Sequence, residues 1–159
     1  MKTVADRLKA RGIVLPVVPA PVGAYRPAVI AGPFVFTSGQ LPLVDGRLLI
    51  QGQVGRDCTI EEAARAARVC VLNGLSVLHL VIGDLELIEQ IVKVTGYVAS
   101  AEDFHEHSQV LNGASDLLVD LFGEAGKHAR SAVGVASLPL CAPVEIELLV
   151  TVNHISLVR

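Results

Sequence analysis

His128-Ala-Arg-Ser-Ala-Val-Gly-Val-Ala-Ser-Leu-Pro-Leu-Cys-Ala-Pro-Val-Glu-Ile-Glu-Leu-Leu-Val-Thr-Val152 is the stretch whose reading decides the fold. It reads as two strands joined by a proline-bounded turn. In Arg130 to Ala136, Val133 and Val135 alternate with Ala132 and Gly134. Pro139 and Pro143 bracket the turn, because neither can donate to a strand ladder. Val144, Ile146, Leu148, Val150 and Val152 then share one face of a strand. Glu145, Glu147, Thr151 and Asn153 share the other, with Leu149 its one apolar member.

This stretch also carries two groups with chemistry. Arg130 offers a planar guanidinium that matches a carboxylate. Glu145 sits among apolar neighbours, where loss of solvent raises a carboxyl's pKa and fits it for proton transfer. Each has an ordinary structural reading as well. An Arg at a strand start is usually solvated or paired, and a Glu between aliphatics is usually the wet face of a half-exposed sheet. With the turn centred near Leu140-Cys141, Glu145 falls opposite Ala136 or Ser137. Arg130 is then about 20 Å away, at roughly 3.3 Å per residue. One small ligand cannot be held by both groups of a single regular hairpin. If both serve one site, they come from neighbouring chains, unless the strand is sharply bulged or bent.

Working outward, Arg130-Ser-Ala-Val-Gly-Val-Ala with Leu138-Pro139 and Val144-Glu-Ile-Glu147 resembles the C-terminal signature of the Rid family, also called YjgF or L-PSP. Gly23-Ala-Tyr25-Arg-Pro27, Phe36-Thr-Ser-Gly-Gln-Leu-Pro42, Lys93-Val-Thr-Gly-Tyr-Val98 and Glu102-Asp-Phe104 extend the likeness. It runs from about Tyr25 to Val152, nearly the whole chain. The resemblance implies an α+β, chorismate-mutase-like fold, with two main helices on one face of a mixed sheet. It also implies a homotrimer with ligand sites in clefts between subunits. The activity implied is hydrolysis of reactive 2-imino or enamino acids to 2-oxo acids and ammonia, without metal or organic cofactor. Arg130 would hold the substrate carboxylate, and the Ala132 backbone N–H would add a donor. Glu145 would polarise a water, while Tyr25 and Ser38 would line the cleft.

Two positions depart from the family pattern. Many relatives carry Cys where this chain has Ala132. A helix Asn contributes to the pocket in some members, and here the register offers Ser108, with Asn112 one turn later. A trimer that binds a small carboxylate without turning it over is the second reading. A third, endoribonuclease activity, finds little support in charge or aromatic content.

Composition agrees with a compact assembly. A length of 159 residues suits one domain, residues 1–159, with 1–27 as an N-terminal helix and extended leader. The hydrophobic share of 52% exceeds what a soluble monomer of this size needs, and a subunit interface accounts for the excess. A net charge of -3 and 4% aromatic residues supply no basic stacking surface for nucleic acid. The longest apolar run, Val69 to Gly83, is interrupted by Asn73, Ser76 and His79, so no membrane span is expected. Lys2, Asp6, Arg7, Lys9 and Arg11 leave no apolar signal core. Three cysteines, widely spaced and without CxxC, fit free thiols in a cytoplasmic protein.

The remaining elements follow from local signals. Thr3 to Arg11 reads as a short helix, and Ile13 to Pro27 as an extended segment. Ala28 to Gln40 holds a strand pair, and Asp45-Gly46 turns a small hairpin. Thr59-Ile-Glu-Glu62 is a capping box opening a helix that stops at Gly83. Glu86 to Ala99 is a central strand with Ile88, Val92, Val94 and Val98 on one face. Ser100-Ala-Glu-Asp103 is a second capping signal, opening a helix to Phe122. His105 and His107, two apart on a helix, do not share a face and make a poor metal pair. His79, His128 and His154 read as isolated, solvated or hydrogen-bonded residues.

Overall fold

The computed structural model describes residues 2–18 and 23–153. Pro19, Pro21 and His154 lie outside the described residues. Ten helices and strands follow in the order α1 (Val4–Ala10), β1 (Ala28–Ala31), β2 (Phe34–Thr37), β3 (Leu43–Val44), β4 (Arg47–Leu48), α2 (Ile60–Ile82), β5 (Ile88–Ala99), α3 (His107–Phe122), β6 (Ala129–Val135) and β7 (Val144–Val152). Five strands form one sheet in the order β1-β2-β7-β5-β6. Only β5 and β6 run parallel. Helices α2 and α3 cover one face, giving an α+β layer pair.

Helix α2 begins where its capping box places it. The Glu62 amide donates to Thr59 Oγ1 at 3.2 Å, and the Thr59 amide to Glu62 Oε2 at 2.9 Å. It ends at Gly83, whose φ of 88° suits a residue without a side chain. Leu75 and Leu78 are fully buried, each worth about 1.5–3 kcal/mol of transfer energy. Ser76 is buried too, and its hydroxyl donates to the Leu72 carbonyl at 3.0 Å. Among the described residues, α2 is the one helix long and apolar enough by composition to cross a membrane, despite its polar interruptions. Half of its most apolar stretch is packed inside the fold.

The expected hairpin of β6 and β7 does not form. Both strands pair with β5, which lies between them. The link from β6 to β7 is too irregular to fold back directly. Leu140 and Cys141 adopt φ of 58° and 62°, and the Ala99 amide donates to Pro143 O as the chain crosses the end of β5. Strand β5 is rich in Ile and Val, and such a strand gains most from a ladder on each edge.

Two further expectations need correction. Helix α3 starts at His107, not at the Ser100-Ala-Glu-Asp103 signal; Ser100 Oγ instead meets His107 Nε2 at 3.0 Å. In β5, register shifts between Ile88 and Gln90 and between Ile91 and Lys93 bring Ile91 to the helix face beside Ile88 and Val94. Val92 is only half-buried. These bulges break the simple alternation.

Among the described residues no helix lies on the other face of the sheet. Val29 pairs with Phe36, and Phe36 with Leu149, so an apolar row crosses that face. Phe34 and Phe36 are 40% and 45% exposed, with ring centroids 6.5 Å apart. Val133 adds a further exposed apolar side chain beside Tyr97.

Candidate functional site

The predicted site residues fall into two clusters on opposite faces of the sheet. Arg130 lies level with Val94, and Val94 with Leu148. Leu148 is buried toward α2, so this row faces the helices. Glu145 lies level with Tyr97, one of the rows between, and faces the uncovered side. Along β5 the two levels are three residues apart, about 10 Å, and two strand spacings of about 4.8 Å separate them laterally. Within one chain they therefore do not converge. The sequence argument gave the same answer for a different reason, since the hairpin it used does not exist.

The first cluster is built on β6, the edge strand, and the outer face of α3. Arg130 Nη1 donates to Asn112 Oδ1 and to Ser115 Oγ, each at 3.0 Å. Both hydrogens of Nη1 are thereby used. The Nε and Nη2 edge, the one suited to side-on carboxylate binding, takes no protein acceptor among the described residues. No carboxylate there lies in ion-pair range of Arg130. Asn112 and Ser115 sit one turn apart on α3, and of the two helix positions weighed, Ser108 and Asn112, it is Asn112 that touches Arg130. Ala132 follows Arg130 on the same face of β6, level with Gly96. Gly96 is required there: a side chain would collide with Leu111 of α3.

Behind Arg130 stands His128. Its Nδ1 meets the Gly126 carbonyl at 2.6 Å and its Nε2 meets Ser115 Oγ at 3.0 Å. Burial pushes its pKa below the usual histidine value, opposed by the bond to the Gly126 carbonyl and aided by the Arg130 charge, which favours the neutral ring. Sequence reading treated His128 as isolated and did not single out Ser115. Nothing in their spacing of thirteen residues signals contact. A short 3-10 turn, Gly123–Gly126, makes it by folding β6 back onto α3.

The second cluster lies where β2 ends against β7. Glu145 packs over Gly39, where any side chain would overlap its carboxylate. The carboxylate is half-buried and accepts no protein hydrogen bond among the described residues. Burial first, then the charge of Glu147, raises its pKa. Tyr97 donates to Glu147 Oε1 at 3.1 Å, so Glu147 is engaged and Glu145 is not. Ser38 sits beside Gly39, but its hydroxyl donates to the Arg26 carbonyl at 2.7 Å. Tyr25 is 55% exposed and faces open solvent in the single chain. Tyr97 is a member that sequence reading did not assign to a site.

Among the described residues no set of three His, Cys, Asp or Glu side chains is grouped as a metal centre. Cys70 is fully buried in the core, which raises its thiol pKa well above normal.

The family model described as "YjgF/chorismate mutase-like, putative endoribonuclease" matches residues 5–152. The chain is 43% identical over 152 residues to Protein TCP17 of Trypanosoma cruzi, covering 95% of each. It is 29% identical to a 2-iminobutanoate/2-iminopropanoate deaminase of Dermatophagoides farinae, over 90% of this chain and 97% of that one. The crystal structure of the protein Atu1372 from Agrobacterium tumefaciens, of unknown function, superimposes with a TM-score of 0.89 at 42% identity, covering 94% of this chain and 92% of that one.

Proposed function

The chain belongs to the YjgF/chorismate-mutase-like family, and from that premise we propose that it hydrolyses 2-imino and enamino acids to 2-oxo acids and ammonia. The observation that carries this reading is the Nε/Nη2 edge of Arg130, whose guanidinium is held by α3 and which takes no acceptor and faces no carboxylate among the described residues. A 2-imino acid presents a planar carboxylate that fits it bidentately. The similarity to a named iminobutanoate deaminase supports the choice of substrate class.

The chemistry needs little more than positioning. A water adds to the carbon of the protonated imine while Glu145 takes one of its protons, giving a neutral carbinolamine. Glu145 returns that proton to nitrogen, and the carbinolamine collapses as ammonia leaves and the hydroxyl proton passes to the Glu145 carboxylate, leaving the C=O of the 2-oxo acid. A carboxyl whose pKa is raised by burial suits these transfers. The Ala132 amide, Ser38 and Tyr25 line the same cleft in this reading. Because Arg130 and Glu145 face opposite sides of the sheet, the complete site is shared between subunits of a homotrimer, joined through the uncovered apolar face.

Ammonia release from freshly generated 2-aminoacrylate tests the reaction. Arg130→Ala is expected to lower kcat/KM by about 100-fold, the loss of a charged bidentate contact, while the oligomer persists. Unchanged turnover removes the assignment. Tight binding of a 2-oxo acid with no turnover by the native protein favours instead a trimer that only binds small carboxylates.

A further inference from the structure

We propose that Ser115 and His128 are positioning residues for Arg130, forming a one-directional hydrogen-bond chain that fixes which edge of the guanidinium is offered to the substrate carboxylate. This rests on the reading of Arg130 given above.

The direction of each bond is forced. The Gly126 carbonyl can only accept, so His128 Nδ1 carries the ring hydrogen. A neutral ring then has only a lone pair at Nε2, which must accept the Ser115 hydroxyl hydrogen at 3.0 Å. With its hydrogen committed, Ser115 Oγ turns a lone pair toward Arg130 Nη1, also at 3.0 Å. The second Nη1 hydrogen goes to Asn112 Oδ1. Nη1 is then saturated and the guanidinium plane is set by two acceptors on one rigid helix.

Removing His128 frees the Ser115 hydroxyl. A serine inside a helix then turns its hydrogen to the carbonyl four residues back, here Leu111. Ser115 is then no longer fixed by His128, its contact with Nη1 loosens, and Asn112 is the one fixed acceptor left to set the Arg130 plane. The exposed Asn112 side chain is a weaker anchor than the half-buried Ser115.

A structural role alone would lower stability and leave ligand binding untouched. The test therefore separates KM from kcat, using freshly generated 2-aminoacrylate, and measures the Kd of 2-oxobutanoate by calorimetry. Ser115→Ala and His128→Phe are expected to raise KM and Kd about 5- to 10-fold, with kcat within about 2-fold of native. His128→Gln restores most of the loss, because its amide can donate to Gly126 and accept from Ser115. A ligand-free readout accompanies these: the 15N spectrum of native His128 shows the Nδ1–H tautomer, and the Nε2 resonance moves in Ser115→Ala. Native KM and Kd in both Ser115→Ala and His128→Phe overturn the proposal, as does an Nε2–H tautomer. A native protein that neither binds 2-oxobutanoate nor hydrolyses the imine overturns the deaminase reading and this proposal together. An active native enzyme with an indifferent Ser115→Ala overturns the positioning role only.

Discussion

Glu145 is held against its own interest at neutral pH. Burial and the Glu147 charge raise its pKa above 4.5, the ordinary value. In the unfolded chain it ionises first as pH rises, and the folded chain resists until its higher pKa is passed. Folding is therefore disfavoured by this residue above both values, and least so below 4.5. Glu145→Gln removes that penalty. Thermal unfolding at pH 7 is expected to show Tm unchanged or slightly raised, while imine hydrolysis falls. The acidic limb of the native kcat/KM profile should lie above the usual glutamate range and vanish in the variant. A variant that loses stability and activity in parallel would mark Glu145 as structural. His128 tilts the same curve in its own way. Its depressed pKa means the unfolded chain takes up a proton before the folded one does, so its contribution is lost as pH falls below 6.5.

Among the elements, what could be read from sequence divides by range. Local chemistry was legible. Thr59 and Glu62 form the capping box, Asp45 and Gly46 turn the small hairpin with φ of 50° and 76°, and Gly83 and Gly123 end their helices. Partnerships between distant segments were not. The alternation in β6 and β7 shows which residues face inward, but not that β5 separates the strands. Arg130 and Glu145 could be named from their types and the family pattern. Asn112 rested on a helix register whose start was misplaced, and Ser115 and His128 depended on a turn without a strong sequence mark. Close approaches of this kind leave traces only as glycines. Gly113 is one: a Cβ there would collide with the Ala64 carbonyl of α2. Gly113→Ala gains about 1 kcal/mol of helix propensity. Overpacking against a rigid backbone costs about 1–3 kcal/mol or more, so the clash wins. A net loss near 2 kcal/mol corresponds to a Tm lowered by about 4–8 °C in a chain of this size. A raised Tm would show that α2 and α3 separate freely.

For the whole molecule, the uncovered sheet face and the divided site pose one question. Val29, Phe34, Phe36, Leu149 and Val133 leave an apolar surface on the side opposite the helices, of a kind that marks association. Glu145 lies on that face, and Arg130 on the other at the sheet edge. If subunits of a ring each lend Arg130 to one neighbour and Glu145 to the other, the two functions can be restored between inactive chains. Co-expression of Arg130→Ala and Glu145→Gln chains in equal amounts tests this. Each inter-subunit site then draws its arginine and its glutamate independently. About one quarter of sites receive both native groups, since each is present in half of the chains. Activity should return to about that fraction of native, although either variant alone is nearly inactive. A site contained within one chain would never regain both groups, and the mixture would stay as inactive as its parents.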